Sequence, residues 1–194
     1  WYFPRPLPPS ASEVKRIVII GPGGAGKSTL ALQLGAVLDL PVIHLDRELW
    51  QPGWVITPRD SQVRLQAEMV TGDRWIIDGT YGATLQIRLT AADTVLFLDL
   101  HPLRCLWRVF KRSIRYRGRT RPDMGPGSLE RWPNREFLTW IAPYHRRKRP
   151  AVRQMLGQLS SSTDVHELRS PRQVRHFLKE ITLRHALGEA ALAA

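Results

Sequence analysis

The sequence predicts an α/β fold: a five-stranded parallel sheet with helices on both faces. Three observations predict it. Short apolar runs of strand length alternate with stretches of helical period from Arg16 to Ile181. A glycine-rich turn joins the first apolar run to the first helix. The chain has 194 residues, 43% of them hydrophobic, which is enough for one domain with a substantial core.

The elements follow in order. Residues 1–13 (WYFPRPLPPSASE) are proline-rich and aperiodic and read as a flexible arm before a single domain over 14–187. Arg16–Ile20 is a buried strand, and Lys27–Leu38 a helix with Leu30, Leu34, Val37 and Leu38 on one face. Pro41–His44 is a second strand. Pro58–Val70 is a helix, with Thr57 placed to cap it and Pro58 suited to its first position. Trp75–Ile77 and Thr94–Leu98 are the third and fourth strands. Leu103–Tyr116 is an amphipathic helix whose inward face is expected to be Leu103, Trp107, Phe110 and Ile114. Residues 117–133 are rich in Gly, Pro and Arg and read as a long mobile lid loop, with no apolar anchor over 117–127. Glu136–Gln158 is mostly helical, with breaks at Pro143 and Pro150. Val165–Leu168 is the fifth strand. Ser170 then caps a last helix with Pro171 first and Gln173 completing a capping box; Val174, Phe177, Leu178 and Ile181 form its buried face. Residues 188–194 are alanine-rich and read as a fraying tail.

Composition narrows the setting. The one cysteine, Cys105, rules out an internal disulfide and fits a reducing cytoplasm. No apolar run approaches the roughly 18 residues of a membrane span, and no signal peptide opens the chain. The formal charge of +12, from 29 Lys+Arg against 17 Asp+Glu, favours anionic partners. Nucleic acid and a small phosphorylated ligand ringed by arginines both satisfy it.

Gly21-Pro22-Gly23-Gly24-Ala25-Gly26-Lys27-Ser28 matches the phosphate-loop pattern G-x-x-x-x-G-K-[ST] at every fixed position, between a strand and a helix as that pattern requires. Glycines let successive N–H groups turn inward as an anion nest, and the helix dipole adds positive potential. The residues from Gly21 to Thr29 are therefore expected to cradle the phosphates of ATP (or GTP). Lys27 reaches the β and γ oxygens, and Ser28 offers its hydroxyl to Mg2+. The fold class becomes that of a P-loop NTPase, a three-layer sandwich with an arginine-rich lid.

Two carboxylates compete for the metal. Asp78 follows Trp75-Ile76-Ile77, and Asp99 follows Val95-Leu96-Phe97-Leu98. Asp78 is preferred because Gly79 permits close approach of a ligand. Asp46, after the second strand, could orient an acceptor hydroxyl or take its proton. His44 precedes it by two residues and is expected to be structural. Trp50 and Trp54 could form a stacking wall for an acceptor or plain packing. Arg104, Arg108, Lys111, Arg112 and Arg115 form one basic stripe, and a solvated face is the preferred reading for Arg104 and Arg108. Arg117, Arg119 and Arg121 follow in the loop, where arginines closing over a moving phosphoryl group would stabilise its charge. His145 to Arg149 (HRRKR) reads as a surface patch.

Together these residues resemble the adenylate-kinase-like family of small-molecule kinases, which includes shikimate and gluconate kinases. The resemblance spans about residues 15–182. At closer range the chain is similar to bacterial DNA topology modulation proteins, through Ile76–Tyr81 (IIDGTY), Arg88, Phe97–Arg108 (FLDLHPLRCLWR) and Arg115–Met124 (RYRGRTRPDM). The resemblance implies an ATP-dependent kinase of an unspecified small acceptor. The charge keeps nucleic acid as the less favoured alternative, and without an apolar span no membrane partner is expected. It gives Asp78 to the metal, Arg121 to the lid, Arg88 to the acceptor, and Leu168-Arg169-Ser170-Pro171 to the adenine. One departure stands out. Nucleoside-monophosphate kinases carry Asp-Gly-Phe-Pro-Arg, whereas this chain has Asp78-Gly79-Thr80-Tyr81-Gly82. The arginine for a monophosphate is thus not in its usual place, which points away from adenylate kinase activity.

Overall fold

Arg16–Ile20 is apolar on both faces after its first residue, as a central strand of a parallel sheet must be. Val18, Ile19 and Ile20 are completely buried. A computed structural model describes residues 14–125, 127–130, 132–133 and 144–192. In chain order the elements are β1 (Arg16–Ile20), α1 (Lys27–Leu38), β2 (Val42–His44), α2 (Leu45–Leu49), β3 (Trp50–Gln51), β4 (Val55–Ile56) and α3 (Arg59–Met69). Then come β5 (Trp75–Asp78), α4 (Leu85–Ala91), β6 (Thr94–Leu98), α5 (Pro102–Arg115), α6 (Tyr144–Arg147), α7 (Arg149–Gly157), β7 (Asp164–Leu168) and α8 (Pro171–Leu192).

The five longer strands form one parallel sheet in the order β2-β5-β1-β6-β7. The period of two sends Ile17 and Ile19 to one face, with Leu30 and Leu34 of α1, Cys105 and Val109 of α5, and Phe177 and Ile181 of α8. Val18 and Ile20 face the other side, with Leu45 and Leu49 of α2, Leu85 and Leu89 of α4, Tyr144 of α6 and Val152 of α7. This is the expected three-layer sandwich. The register aligns Ile19 and His44 with Asp78, so the carboxyl ends of β1, β2 and β5 meet at one edge. Ligands of such sheets bind there.

Several expectations need correction. The short helix α2, the β3–β4 hairpin and α4 went unforeseen, and Asp46 lies on α2 rather than in a loop. Helix α3 begins at Arg59 after Pro58 and has no side-chain cap from Thr57. Helix α5 is turned over relative to its apolar stripe: Leu103, Trp107 and Ile114 are exposed, and Cys105, Val109 and Ser113 are buried. Gly24 supplies the reason. A Cβ there would stand 2.3 Å from the Cys105 carbonyl oxygen, so α5 backs directly onto the phosphate loop, and only small side chains fit that seam. Helix α8 runs to Leu192, so residues 188–192, expected to fray, are helical here. The expected arm over 1–13 and the helical stretch from Glu136 to Pro143 lie outside the described residues.

The arginine-rich loop is also more structured than expected. Arg117 bridges Glu130, Thr120 bridges Leu129, and the Glu130 amide donates to the Arg119 carbonyl at 2.9 Å. Met124 is buried and supplies the apolar anchor that the composition had concealed. Gly125 packs on the Arg47 and Trp50 carbonyls, and the Trp54 indole donates to the Leu129 carbonyl at 2.9 Å.

Candidate active site

The phosphate loop leaves β1 at Gly21 and enters α1 at Lys27, with Gly26 as N-cap in the left-handed region at φ 96°. Glycine is needed there because a Cβ would be strained. The Lys27 ammonium folds back over the loop and donates to the Pro22 carbonyl at 3.1 Å. Two residues outside the motif hold the loop. The Thr80 hydroxyl donates to the Gly21 carbonyl at 2.6 Å and lies 3.0 Å from the Gly21 amide. From the other side Arg108 donates to the Ala25 carbonyl at 2.9 Å. Arg108 is therefore not part of a solvated face, whereas Arg104 is exposed.

At the first turn of α1 the Ser28 hydroxyl donates to Asp78 at 2.8 Å and lies 3.1 Å from the Asp123 carboxylate. Asp78 is buried at the end of β5, and its other oxygen bonds His44 Nδ1. That hydrogen bond raises the imidazole above its ordinary value against the opposing effect of burial. One hydroxyl hydrogen cannot serve two carboxylates. The donor set is a hydroxyl and two carboxylates, all oxygen, as Mg2+ prefers. The residues present fit that ion. Asp99 is engaged elsewhere: its carboxylate lies 2.7 Å from Arg149 Nε and 3.7 Å from Arg153. Arg149 accordingly pairs with a buried carboxylate and is not simply part of a surface patch.

A second carboxylate lies on α2. Asp46 is half-buried and accepts from the Tyr81 hydroxyl at 2.7 Å, which in turn accepts from the Trp50 indole at 2.8 Å. The rings of Trp50 and Trp54 meet edge to face, 5.7 Å between centroids. Tyr81 follows Gly79 and Thr80 directly, so the Asp78–Tyr81 segment touches both the phosphate loop and Asp46.

Arg88 does not belong to an acceptor site. It is fully buried on α4 and donates to the Gly79 carbonyl at 2.6 Å, the Thr80 carbonyl at 2.8 Å and Gln66 at 2.8 Å. Burial lowers its guanidinium to about 9. No donor surface remains for a ligand; Arg88 staples the Gly79-Thr80 turn from beneath.

Arg121 is buried and forms ion pairs with Asp123 at 3.2 Å and Glu130 at 2.9 Å. Asp123 thus links Arg121 to Ser28. Glu130 also takes Arg112 at 3.2 Å and the Ser113 hydroxyl at 3.1 Å. Arg117 and Arg119 are exposed and make no ion pair among the described residues; the structure does not bring them to the phosphate loop. Arg169 is also exposed and pairs with Glu167 at 3.1 Å. Its amide is held by Gln173 at 2.6 Å, and the Gln173 amide donates to Ser170 at 3.2 Å, a reciprocal cap at the start of α8 beside Pro171. Asp123, Glu130, Thr80, Tyr81 and the role of Arg108 escaped sequence reasoning. The Arg121-Pro122-Asp123 sequence was the one available hint for Asp123.

No protein-family model matches the sequence, and no curated protein matches it either. Solved structures do share the fold. A shikimate kinase from Acinetobacter baumannii in complex with shikimate superposes with a TM-score of 0.59 at 16% identity, over 91% of this chain and 95% of that one. A shikimate kinase from Bacteroides thetaiotaomicron does so with a TM-score of 0.51 at 18% identity, over 90% of this chain and 99% of that one. At such identities the likeness establishes the P-loop α/β fold over nearly the full length of both chains. No helix among the described residues is long and apolar enough to cross a membrane.

Proposed function

We propose that this chain is an ATP-dependent kinase that transfers the γ-phosphoryl group to a hydroxyl of a small acceptor. One observation carries the reading: the Ser28 hydroxyl meets Asp78 at 2.8 Å at the N-terminus of the helix that opens with Lys27. A purely structural glycine turn needs neither that carboxylate nor that lysine. The shared fold with shikimate kinases is in keeping with the reading.

Residues Gly21 to Thr29 would hold the triphosphate on backbone N–H groups, and Lys27 would neutralise its β and γ oxygens. Ser28 and Asp78 would hold Mg2+, with Asp123 within reach. Bound there, the ion neutralises charge on the β and γ phosphates. Asp46 would orient the acceptor hydroxyl and take its proton, with Trp50 walling the acceptor. Arg121, carried by the loop that contacts Ser28 through Asp123, would stabilise the charge of the moving group. Arg169, Ser170 and Pro171 would border the adenine. The acceptor stays open on this reading, and the cytoplasm is the compartment we assign.

The test is label transfer from γ-labelled ATP across sugars, polyols, hydroxy acids and nucleosides. The wild type should label one class, and Asp46→Asn should lose that labelling while keeping nucleotide affinity. Wild-type protein that binds ATP but labels no acceptor in the panel would overturn the kinase reading.

A further inference from the structure

Asp46 needs a defined orientation to act on a hydroxyl, yet a carboxylate at the start of a five-residue helix has two free torsions and half-exposed surroundings. What fixes it is a chain of donors. The Trp50 indole N–H donates to the Tyr81 oxygen, and the Tyr81 hydroxyl donates to Asp46 Oδ1. A donor at its oxygen makes a hydroxyl a better donor in turn, so the two bonds reinforce each other. Asp46 Oδ2 accepts no hydrogen bond among the described residues.

The backbone beneath Tyr81 is unusual. Tyr81 has φ 32°, inside the left-handed region that bulky residues avoid. Such conformations persist only where their surroundings over-determine them. Here the surroundings do: Arg88 clamps the Gly79 and Thr80 carbonyls, the Gly79 amide donates to the Ile19 carbonyl at 3.0 Å, and the Tyr81 carbonyl accepts from the Thr84 amide at 3.0 Å. An unstrained backbone would swing the phenol away from α2.

We propose that Tyr81 is a positioning residue for Asp46: it holds one carboxylate oxygen so that the other faces the acceptor hydroxyl. The functional half of this inference rests on the kinase reading. Because Tyr81 lies one residue beyond Thr80, which holds Gly21, the same strained segment sets the acceptor carboxylate relative to the phosphate loop. His44, two residues before Asp46, faces Asp78, Asp123 and Asp46.

The experiment is carbon-13 NMR of the aspartate side-chain carboxyls at one fixed pH in the full chain without nucleotide. Asp46→Asn assigns the Asp46 signal. Tyr81→Phe keeps the ring and loses only the hydroxyl that donates to Asp46. The Asp46 carboxyl resonance should move in Tyr81→Phe and move by less in Trp50→Phe, with the other aspartate signals in place. Label transfer from γ-labelled ATP to the acceptor panel should fall about tenfold in Tyr81→Phe, with the affinity for a fluorescent ATP analogue unchanged. An Asp46 resonance unmoved in Tyr81→Phe overturns the inference, as does a moved resonance with full transfer. A wild type that transfers to nothing counts against the kinase reading instead, and the carboxyl resonance still decides whether Tyr81 holds Asp46.

Discussion

The Ser28 hydroxyl and the Asp78 carboxylate stand 2.8 Å apart, although 50 residues separate them in the chain. Asp99, the other acidic residue at a strand end, is spent on Arg149 and Arg153. The two substitutions should therefore part company. Asp78→Asn should raise the Mg2+ requirement for turnover about tenfold or more with little loss of stability. Asp99→Asn should leave that requirement alone and lower the urea midpoint, since it removes the buried carboxylate that Arg149 and Arg153 share, at a cost of about 1–2 kcal/mol with both arginines part-exposed and still beside Glu167. A larger Mg2+ shift for Asp99→Asn would reverse the assignment.

Arg88 should behave as a structural residue. Arg88→Met leaves the Gly79 and Thr80 carbonyls and Gln66 without their donor, which costs about 3 kcal/mol by the penalty for orphaned buried groups. Urea unfolding reads this directly. A variant as stable as the wild type, but with weakened acceptor binding, would return Arg88 to the acceptor.

Phosphate-loop residues were legible because backbone chemistry dictates them: a loop of inward N–H groups demands glycine wherever it is met. Much of the fold was legible for a similar reason, since RIVII and TVLFL can be comfortable only inside a sheet. Helix α5 was misread because apolarity was taken for inwardness. Its orientation is set by contact at Gly24, which lies against the Cys105 carbonyl and Val109, and that contact is invisible in a pattern of hydrophobicity. Arg88 and Arg108 escaped for a related reason. Arginine donors that end on backbone carbonyls leave no complementary residue in the sequence to find.

The arginines of the loop should divide by burial. Arg121→Ala should cut turnover about a hundredfold or more while ATP affinity changes little, because such a group acts mainly on transition-state charge. A double Ala variant of Arg117 and Arg119, both exposed, should keep turnover within about twofold of the wild type. Duplex binding at several salt concentrations supplies the contrast. Should the double variant flatten the salt dependence by about two units with turnover intact, these arginines serve nucleic acid and the basic loop has a second partner.

Whether the loop from Gly21 to Thr29 holds nucleotide phosphate is decided at Lys27. Its ammonium lies over the loop at the Pro22 carbonyl, 3.1 Å away, where on the proposed function it would meet a bound triphosphate. The measurement is calorimetric titration of Mg·ATP into wild type and Lys27→Ala, with the unfolding midpoint of each as a check on the fold. The account predicts micromolar-range binding in the wild type and at least tenfold weaker binding in the variant, with similar midpoints, since a charge-assisted contact of this kind contributes about 1.5–3 kcal/mol. Equal ATP affinity in the two proteins, both folded, would contradict it.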